Sequence, residues 1–110
     1  MAARDLPPEP RMFAVDPDDW PGGDLVDHAP APAVAARRLA QNLRRALDEQ
    51  TVSLRALAVR VGVDHATISR VIAGRRYCDI ATLAKLEAGL GTPLWPPYRQ
   101  PSGHAGDVVD

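Results

Sequence analysis

The stretch that decides the fold runs from Ser53 to Ala73 and reads S-L-R-A-L-A-V-R-V-G-V-D-H-A-T-I-S-R-V-I-A. Apolar residues recur at helical spacing on both sides of a Gly-Val-Asp break at 62–64. Glycine ends a helix readily because it adopts left-handed backbone, and aspartate is a favoured first residue before the next helix. The stretch therefore predicts two short amphipathic helices joined by a three-residue turn, with the second helix over 65–73.

Two further helices are expected on either side of this pair. The first is predicted from Ala33 to Glu49, where apolar residues follow the i, i+3, i+4 spacing of one buried face. The last is predicted from Ile80 to Leu90, with Gly89 and Gly91 as its end. The apolar residues expected to face the core in this region are Ile80, Leu83, Leu86 and Leu90, followed by Leu94 and Trp95 as a last plug.

The three helices after residue 50 share a pattern at their starts. Each begins after a Ser or Asp that can accept hydrogen bonds from free amides, and an apolar residue before that cap can pack on the helix. The three pairs are Val52–Ser53, Val63–Asp64 and Cys78–Asp79. This recurrence supports the predicted helix starts.

Charge is distributed unevenly, although the net charge of the 110 residues is only −1. Residues 1–32 hold seven acids against two arginines, whereas residues 33–92 hold ten bases against five acids. The bases are nearly all arginine, which suits bidentate contact with phosphate and guanine; a GC-rich genome would give the same bias. Seven prolines in residues 1–32 predict an acidic, largely disordered or extended arm, and residues 96–110 are predicted to be a flexible tail.

Several classes of protein are disfavoured by what the sequence lacks. The single cysteine, Cys78, excludes an internal disulfide and a multi-cysteine zinc site, and we expect it to be inert. There is no long apolar run and no signal-peptide pattern, so a cytoplasmic protein without membrane contact is expected. We expect no enzyme and no cofactor, because neither metal-ligand spacing, a phosphate loop nor a nucleophile–base pattern is present. The acidic segment 16–24 lacks the closing Glu of a calcium loop and is interpreted as a linker.

Residues 39–95 resemble the Cro/C1-type helix-turn-helix family, also called the XRE family. The resemblance is carried by Ser53 to Val63 in the second helix and turn, Thr67-Ile-Ser-Arg-Val71 and Gly74-Arg75-Arg76 in the third helix and its exit, and Ala81 to Leu86 with Leu90-Gly91 in the fourth. It implies an all-α fold, a compact four- to five-helix lambda-repressor-like bundle over residues 33–95. Two departures are visible: Leu54 replaces a frequent phosphate-holding Gln, and Leu47 and Ile72 replace a frequent Arg–Glu pair.

The resemblance implies a sequence-specific DNA-binding transcriptional regulator. The expected form is a bacterial or phage repressor that binds double-stranded DNA as a homodimer on an inverted repeat and reads the major groove with helix 65–73. The candidates for base readout are His65, Ala66, Thr67, Ser69 and Arg70. The candidates for phosphate contact are Ser53, Arg55, Arg75, Arg76 and Tyr77.

Several of these side chains have an alternative role. Arg70 either forks onto a guanine, clamps a phosphate or forms a surface ion pair, and His65 contacts a base edge, a phosphate or only solvent. Tyr77 either grips a phosphate or packs against the core. The arginines of the first helix serve either as a solvated flank or as phosphate contacts; they are Arg37, Arg38, Arg44 and Arg45.

The acidic arm leaves two other functions open. In one, the protein is a protein-binding adaptor, such as an antitoxin or a phage-encoded inhibitor, whose Phe13 and Trp20 anchor the arm on a basic protein partner. In the other, the arm lies across the basic face of its own domain and restrains DNA binding.

Overall fold

The computed structural model describes residues 8–95, and its regular secondary structure there is helical. The four α-helices are α1 (Ala31–Gln50), α2 (Leu54–Val61), α3 (His65–Ile72) and α4 (Ile80–Leu90). Two short 3-10 helices, Pro10–Phe13 and Pro17–Asp19, precede them. The predicted all-α class is confirmed; the predicted tail at 96–110 lies outside the described residues, as do residues 1–7 of the arm.

Helix α1 is the long support of the bundle and is three residues longer than the span predicted for it. It begins at Ala31 because Pro32 falls in the first turn, where the missing N–H costs no hydrogen bond. It ends at Gln50, and the C-cap Thr51 has left-handed backbone (φ 56°) and donates its N–H to the carbonyls of Leu47 and Asp48. The buried stripe of α1 consists of Ala33, Leu39, Ala40, Leu43, Ala46 and Leu47.

The core lies between α1 and the three short helices. Helix α3 contacts α1 and α2, and α2 also contacts α4. The buried residues from the short helices and the following loop are Leu57, Ile68, Val71, Ile72, Leu83, Leu86, Leu90 and Leu94. Leu47 and Ile72, which replace the frequent Arg–Glu pair of the family that the sequence resembles, both belong to this cluster. Val52, Val63 and Cys78, the residues before the three caps, also pack against it.

The caps of the short helices are only partly as predicted. The Ser53 hydroxyl oxygen accepts a hydrogen bond from the Ala56 N–H at 3.0 Å, and the Asp79 carboxylate accepts one from the Thr82 N–H at 2.7 Å. Asp64 makes no side-chain cap, so only its backbone carbonyl serves the start of α3. Helix α3 also ends at Ile72, and Ala73 is its C-cap rather than its last helical residue.

Three predictions at the α4 end of the molecule were wrong. Ile80 is 82% exposed, because it lies at the edge of the apolar stripe in the first turn of α4. Gly89 does not end the helix; a Cβ there would overlap Val61 Cγ1, so the glycine allows α2 and α4 to pack closely. Trp95 is 57% exposed, whereas Leu94 is the buried plug.

The described part of the arm, residues 8–30, is folded against the bundle rather than disordered. Pro10 and Pro17 each begin a 3-10 helix, because proline already has the required φ and needs no hydrogen bond at that position. The Val26 N–H donates to the Phe13 carbonyl and the Val15 N–H donates to the Asp24 carbonyl, both at 2.9 Å. The prolines therefore shape this segment instead of preventing local structure.

Candidate nucleic-acid interface

The start of α2 presents polar groups to solvent. Ser53 is exposed, and its side chain already accepts the Ala56 N–H, so its own hydroxyl proton is free to donate. Arg55 is exposed in the first turn. The N-terminal end of a helix carries partial positive charge and favours anions. This end of α2 has the chemistry of a phosphate contact.

Residues 62–64 form the turn that connects α2 and α3. Gly62 has φ +71°, and its N–H donates to the Ala58 carbonyl at 2.9 Å. Val63 then packs against the core, and α3 begins at His65. The turn is therefore anchored by a left-handed glycine and one apolar side chain, as the sequence predicted.

Helix α3 has one buried face and one open face. Ile68, Val71 and Ile72 are buried against the bundle. The other residues of α3 are the five predicted base readers; Arg70 is exposed, and the partly exposed ones are His65, Ala66, Thr67 and Ser69. The predicted reading face is thus brought together on one short helix and remains accessible.

The chain leaves α3 through a basic turn. The Arg75 N–H donates to the Arg70 carbonyl at 2.9 Å, and both Arg75 and Arg76 are exposed. Within residues 8–95, the ion pair between Arg11 and Asp18 (3.9 Å) is the one salt bridge found. Arg70, Arg75 and Arg76 therefore form no salt bridge among the described residues, and Arg76 lies near enough to Asp79 to contribute, after the Thr82 hydrogen bond, to the lowered pKa of that carboxyl. Arginines in that condition are available to phosphates and base edges.

A cleft beside α3 adds one arginine to the predicted set. Arg44 of α1 lines this cleft with Leu54, Ser69 and Ala73. The sequence left Arg44 between a solvated flank and a phosphate contact, because helical periodicity shows only that it is not buried. Its position beside the α2 start and α3 makes it a candidate phosphate contact.

The arm also lines this cleft, through Arg11, Pro17, Asp18 and Trp20. Its one carboxylate here, that of Asp18, is exposed and paired with Arg11 at 3.9 Å. The cleft therefore brings an arm ion pair and Ser69 of α3 into one surface depression.

Tyr77 and Cys78 belong to a different surface. They line an apolar groove with Phe13 of the arm and Leu39 of α1. Burial raises the pKa of the Tyr77 hydroxyl, and burial, with a contribution from the Asp79 carboxylate, raises the pKa of the Cys78 thiol to about 11. A thiol with that pKa stays protonated near neutral pH and is a poor nucleophile. The phosphate role of Tyr77 stays a prediction.

Phe13 and Trp20, the two residues predicted to anchor a protein partner, both make contacts within the fold. Phe13 is half-buried in the apolar groove. The Trp20 indole N–H donates to the Ile72 carbonyl at 3.0 Å.

Among residues 8–95, no group of three His, Cys, Asp or Glu side chains is placed to share a metal ion, and no helix is long and apolar enough to cross a bilayer.

A comparison with known protein families matches the central part of the chain. A family model described as helix-turn-helix matches residues 43–94, just under half of the chain. The match covers the second half of α1, all of α2 to α4 and Leu94. No curated protein and no solved structure gave a match. The arm lies outside the matched segment.

Proposed function

Because residues 43–94 form a helix-turn-helix DNA-binding domain of the Cro/C1 type, the XRE family, we propose that this chain is a sequence-specific transcriptional regulator that reads the major groove with α3. The observation that carries the proposal is the open face of α3. It presents Arg70, and the basic turn of Arg75 and Arg76 follows directly; none of the three forms a salt bridge among the described residues.

Each exposed group has a role suited to its chemistry. Arg70 forks onto guanine O6 and N7, Ala66 contacts a thymine methyl, and His65 bonds a base edge at the start of α3. Thr67 and Ser69 complete the readout. Phosphate contacts come from the α2 start, the basic turn and α1; these residues are Ser53, Arg55, Arg75, Arg76 and Arg44, with Tyr77 the least accessible candidate.

The biological form we propose is a repressor acting in the cytoplasm as a homodimer. One α3 reads only a few base pairs, so two copies on an inverted repeat supply the affinity and specificity that a regulator needs. Such a protein blocks transcription by occupying its site and needs no cofactor or catalytic group.

The test compares three arginine variants, Arg70→Ala, Arg75→Ala and a control, on a DNA duplex selected from random sequences. Arg70→Ala should lose about 1–3 kcal/mol of binding free energy and relax one base position. Arg38→Ala, an exposed arginine of α1 outside the matched segment, is the control and should bind as the unaltered protein does. Binding should also weaken steeply with salt, because several phosphate contacts release counterions. Unchanged affinity for every tested duplex in both Arg70→Ala and Arg75→Ala would overturn the assignment.

A second candidate role is restraint of DNA binding by the arm, and the observation that favours it is the exposed Asp18 carboxylate in the cleft next to α3. Asp18, Arg44 and Ser69 line that cleft together. A phosphate approaching the α2 start meets this carboxylate, and like charges repel across a distance shorter than about 10 Å at moderate salt. The adaptor role has less support, because Trp20 is already bonded within the fold.

A pair of charge-matched variants separates restraint from simple net charge. Asp18→Asn with Asp19→Asn removes two charges at or beside the cleft, whereas Asp24→Asn with Asp27→Asn removes two from elsewhere on the arm. Restraint predicts that the first pair tightens DNA binding clearly more than the second at low salt. Equal effects would show that only net charge matters. Capture of a basic protein that is lost in the first pair, with DNA binding unchanged, would favour the adaptor.

A further inference from the structure

The arm closes the C-terminal end of α3. The Trp20 indole N–H donates to the carbonyl of Ile72, the last residue of that helix, at 3.0 Å. The Arg11 backbone N–H donates to the Gly74 carbonyl at 2.8 Å. Carbonyls in the last turn of a helix have no partner within the helix, so they need one from outside. Here the Ile72 carbonyl takes its partner from a segment more than fifty residues away, and the same segment binds the Gly74 carbonyl just beyond the helix.

Gly74 is the point at which the arm and the basic turn meet. It is buried with φ +74°, and a Cβ there would lie 2.5 Å from Trp20 Cε2. The indole therefore rests directly on the backbone that leads to Arg75. A side chain at position 74 would not fit while the ring stays in place.

The arm that carries Trp20 is itself tied to α1. Gln41 of α1 donates its side-chain N–H to the Pro21 carbonyl at 2.7 Å, and the 3-10 helix Pro10–Phe13 contacts α1. Trp20 and the adjacent Pro21 thus connect the end of α3 to α1. None of these arm residues belongs to the segment that the helix-turn-helix family model matches.

We propose that Trp20 is a positioning residue for DNA recognition. Its indole fixes the end of α3 and, through Gly74, the direction in which Arg75 and Arg76 leave it. Trp20 itself touches no DNA. This inference rests on the proposed function and deepens it, because it assigns to the arm a part in reading DNA that the matched segment alone does not contain.

The reason that position matters is geometric. Bidentate contacts from arginine require both N–H groups to meet their acceptors together, and recognition groups must be held to within about 0.5 Å. Without the N–H donors that the arm supplies to its carbonyls, the end of α3 would fray over its last turn, which includes Arg70. The affinity for a selected duplex would then fall more than the affinity for a scrambled one, which depends on general attraction to phosphate.

The experiment uses the full chain with Trp20→Phe, which keeps an aromatic ring and removes the N–H donor. Trp95→Phe, at the 57% exposed tryptophan, is the matched control. Affinity is measured for a duplex selected from random DNA and for a scrambled duplex of equal length. We expect Trp20→Phe to reduce the ratio of the two affinities by about three- to tenfold, the worth of one hydrogen bond, and Trp95→Phe to leave it unchanged.

A second readout tests the clamp without DNA. The Gly74 N–H donates to Val71 and the Arg75 N–H donates to Arg70, so amide hydrogen exchange at these two residues reports whether the α3 end is held. Trp20→Phe should speed their exchange by a similar factor while Leu43 and Leu57 in the core keep their rates.

The outcomes distinguish the two proposals. Unchanged exchange at Gly74 and Arg75 in Trp20→Phe would overturn the clamp even if the protein binds DNA selectively. Faster exchange with an unchanged affinity ratio would reduce Trp20 to a structural residue and overturn its positioning role. Failure of the unaltered protein to prefer any duplex would overturn the proposed function instead, and with it the positioning role in DNA recognition.

Discussion

The structure of the helix pair α2–α3 is determined by nearby residues, whereas that of the arm at residues 8–30 depends on distant ones. In the helix pair, apolar spacing, the Ser53 cap and the left-handed Gly62 all lie within a few residues of the structure they determine. In the arm, the decisive contact joins Trp20 to Ile72, 52 positions along the chain. Local patterns therefore predict the helices, whereas the arm takes its shape from a surface that only the folded bundle provides.

The largest expected difference between the two regions is in stability. Leu57 in α2 is fully buried, and Leu57→Ala should lower the free energy of unfolding by about 2–5 kcal/mol, because it removes core contacts and leaves a cavity. Phe13→Ala in the arm removes a half-buried ring and should cost about 1 kcal/mol. Chemical denaturation of both variants measures this. Equal losses would mean that the arm is part of the core.

Two glycines with left-handed backbone give a sharper comparison. Gly62→Ala introduces a Cβ with no atom within 4 Å, so only backbone strain of about 1–2 kcal/mol is expected. Gly74→Ala has the same strain, and its Cβ also meets the Trp20 ring, which should add about 1–3 kcal/mol.

Thermal or denaturant unfolding of both glycine variants, alone and combined with Trp20→Ala, provides the control. Without the indole, the cost of Gly74→Ala should fall to that of Gly62→Ala. If Gly74→Ala costs no more than Gly62→Ala in the unaltered background, the ring does not rest on Gly74 and the docked arm is wrong.

A smaller effect is expected at the caps of the helix pair. Ser53→Ala removes a side-chain bond to the Ala56 N–H and should cost about 1 kcal/mol. Asp64→Ala should cost less, because the Asp64 side chain makes no cap bond. Denaturation midpoints of the two variants test this order, and a reversed order would show that Asp64 caps α3 in solution.

The smallest expected change is confined to one side chain, the Cys78 thiol, which lines the same groove as Phe13. The pKa of Cys78 is raised to about 11 by burial in the groove that Phe13 also lines. Phe13→Ala opens this groove and should lower that pKa toward 9.0, which increases the thiolate fraction at pH 8 about tenfold per unit. Labelling with a thiol reagent should accelerate accordingly, while Met12→Ala, at an exposed side chain, should not change the rate. Equal rates in all three proteins would contradict the role of Phe13.

The same distinction explains which sequence predictions succeeded. The turn at Gly62 and the buried face of α3 follow from local spacing and were predicted from sequence. Gly89 was misinterpreted because its reason is Val61 on a neighbouring helix, and Ile80 because periodicity does not say where a packing partner ends. The role of Trp20 depends on tertiary contact alone, so a proline-rich, acidic composition gave no signal for it.

DNA reading by α3 is tested by an NMR titration of the isotope-labelled full chain with a duplex selected from random DNA. The largest backbone amide shifts are expected in α3, at Arg75 and Arg76, and at the start of α2. Shifts confined to the arm or to α4, with the α3 amides unmoved at saturation, would contradict it.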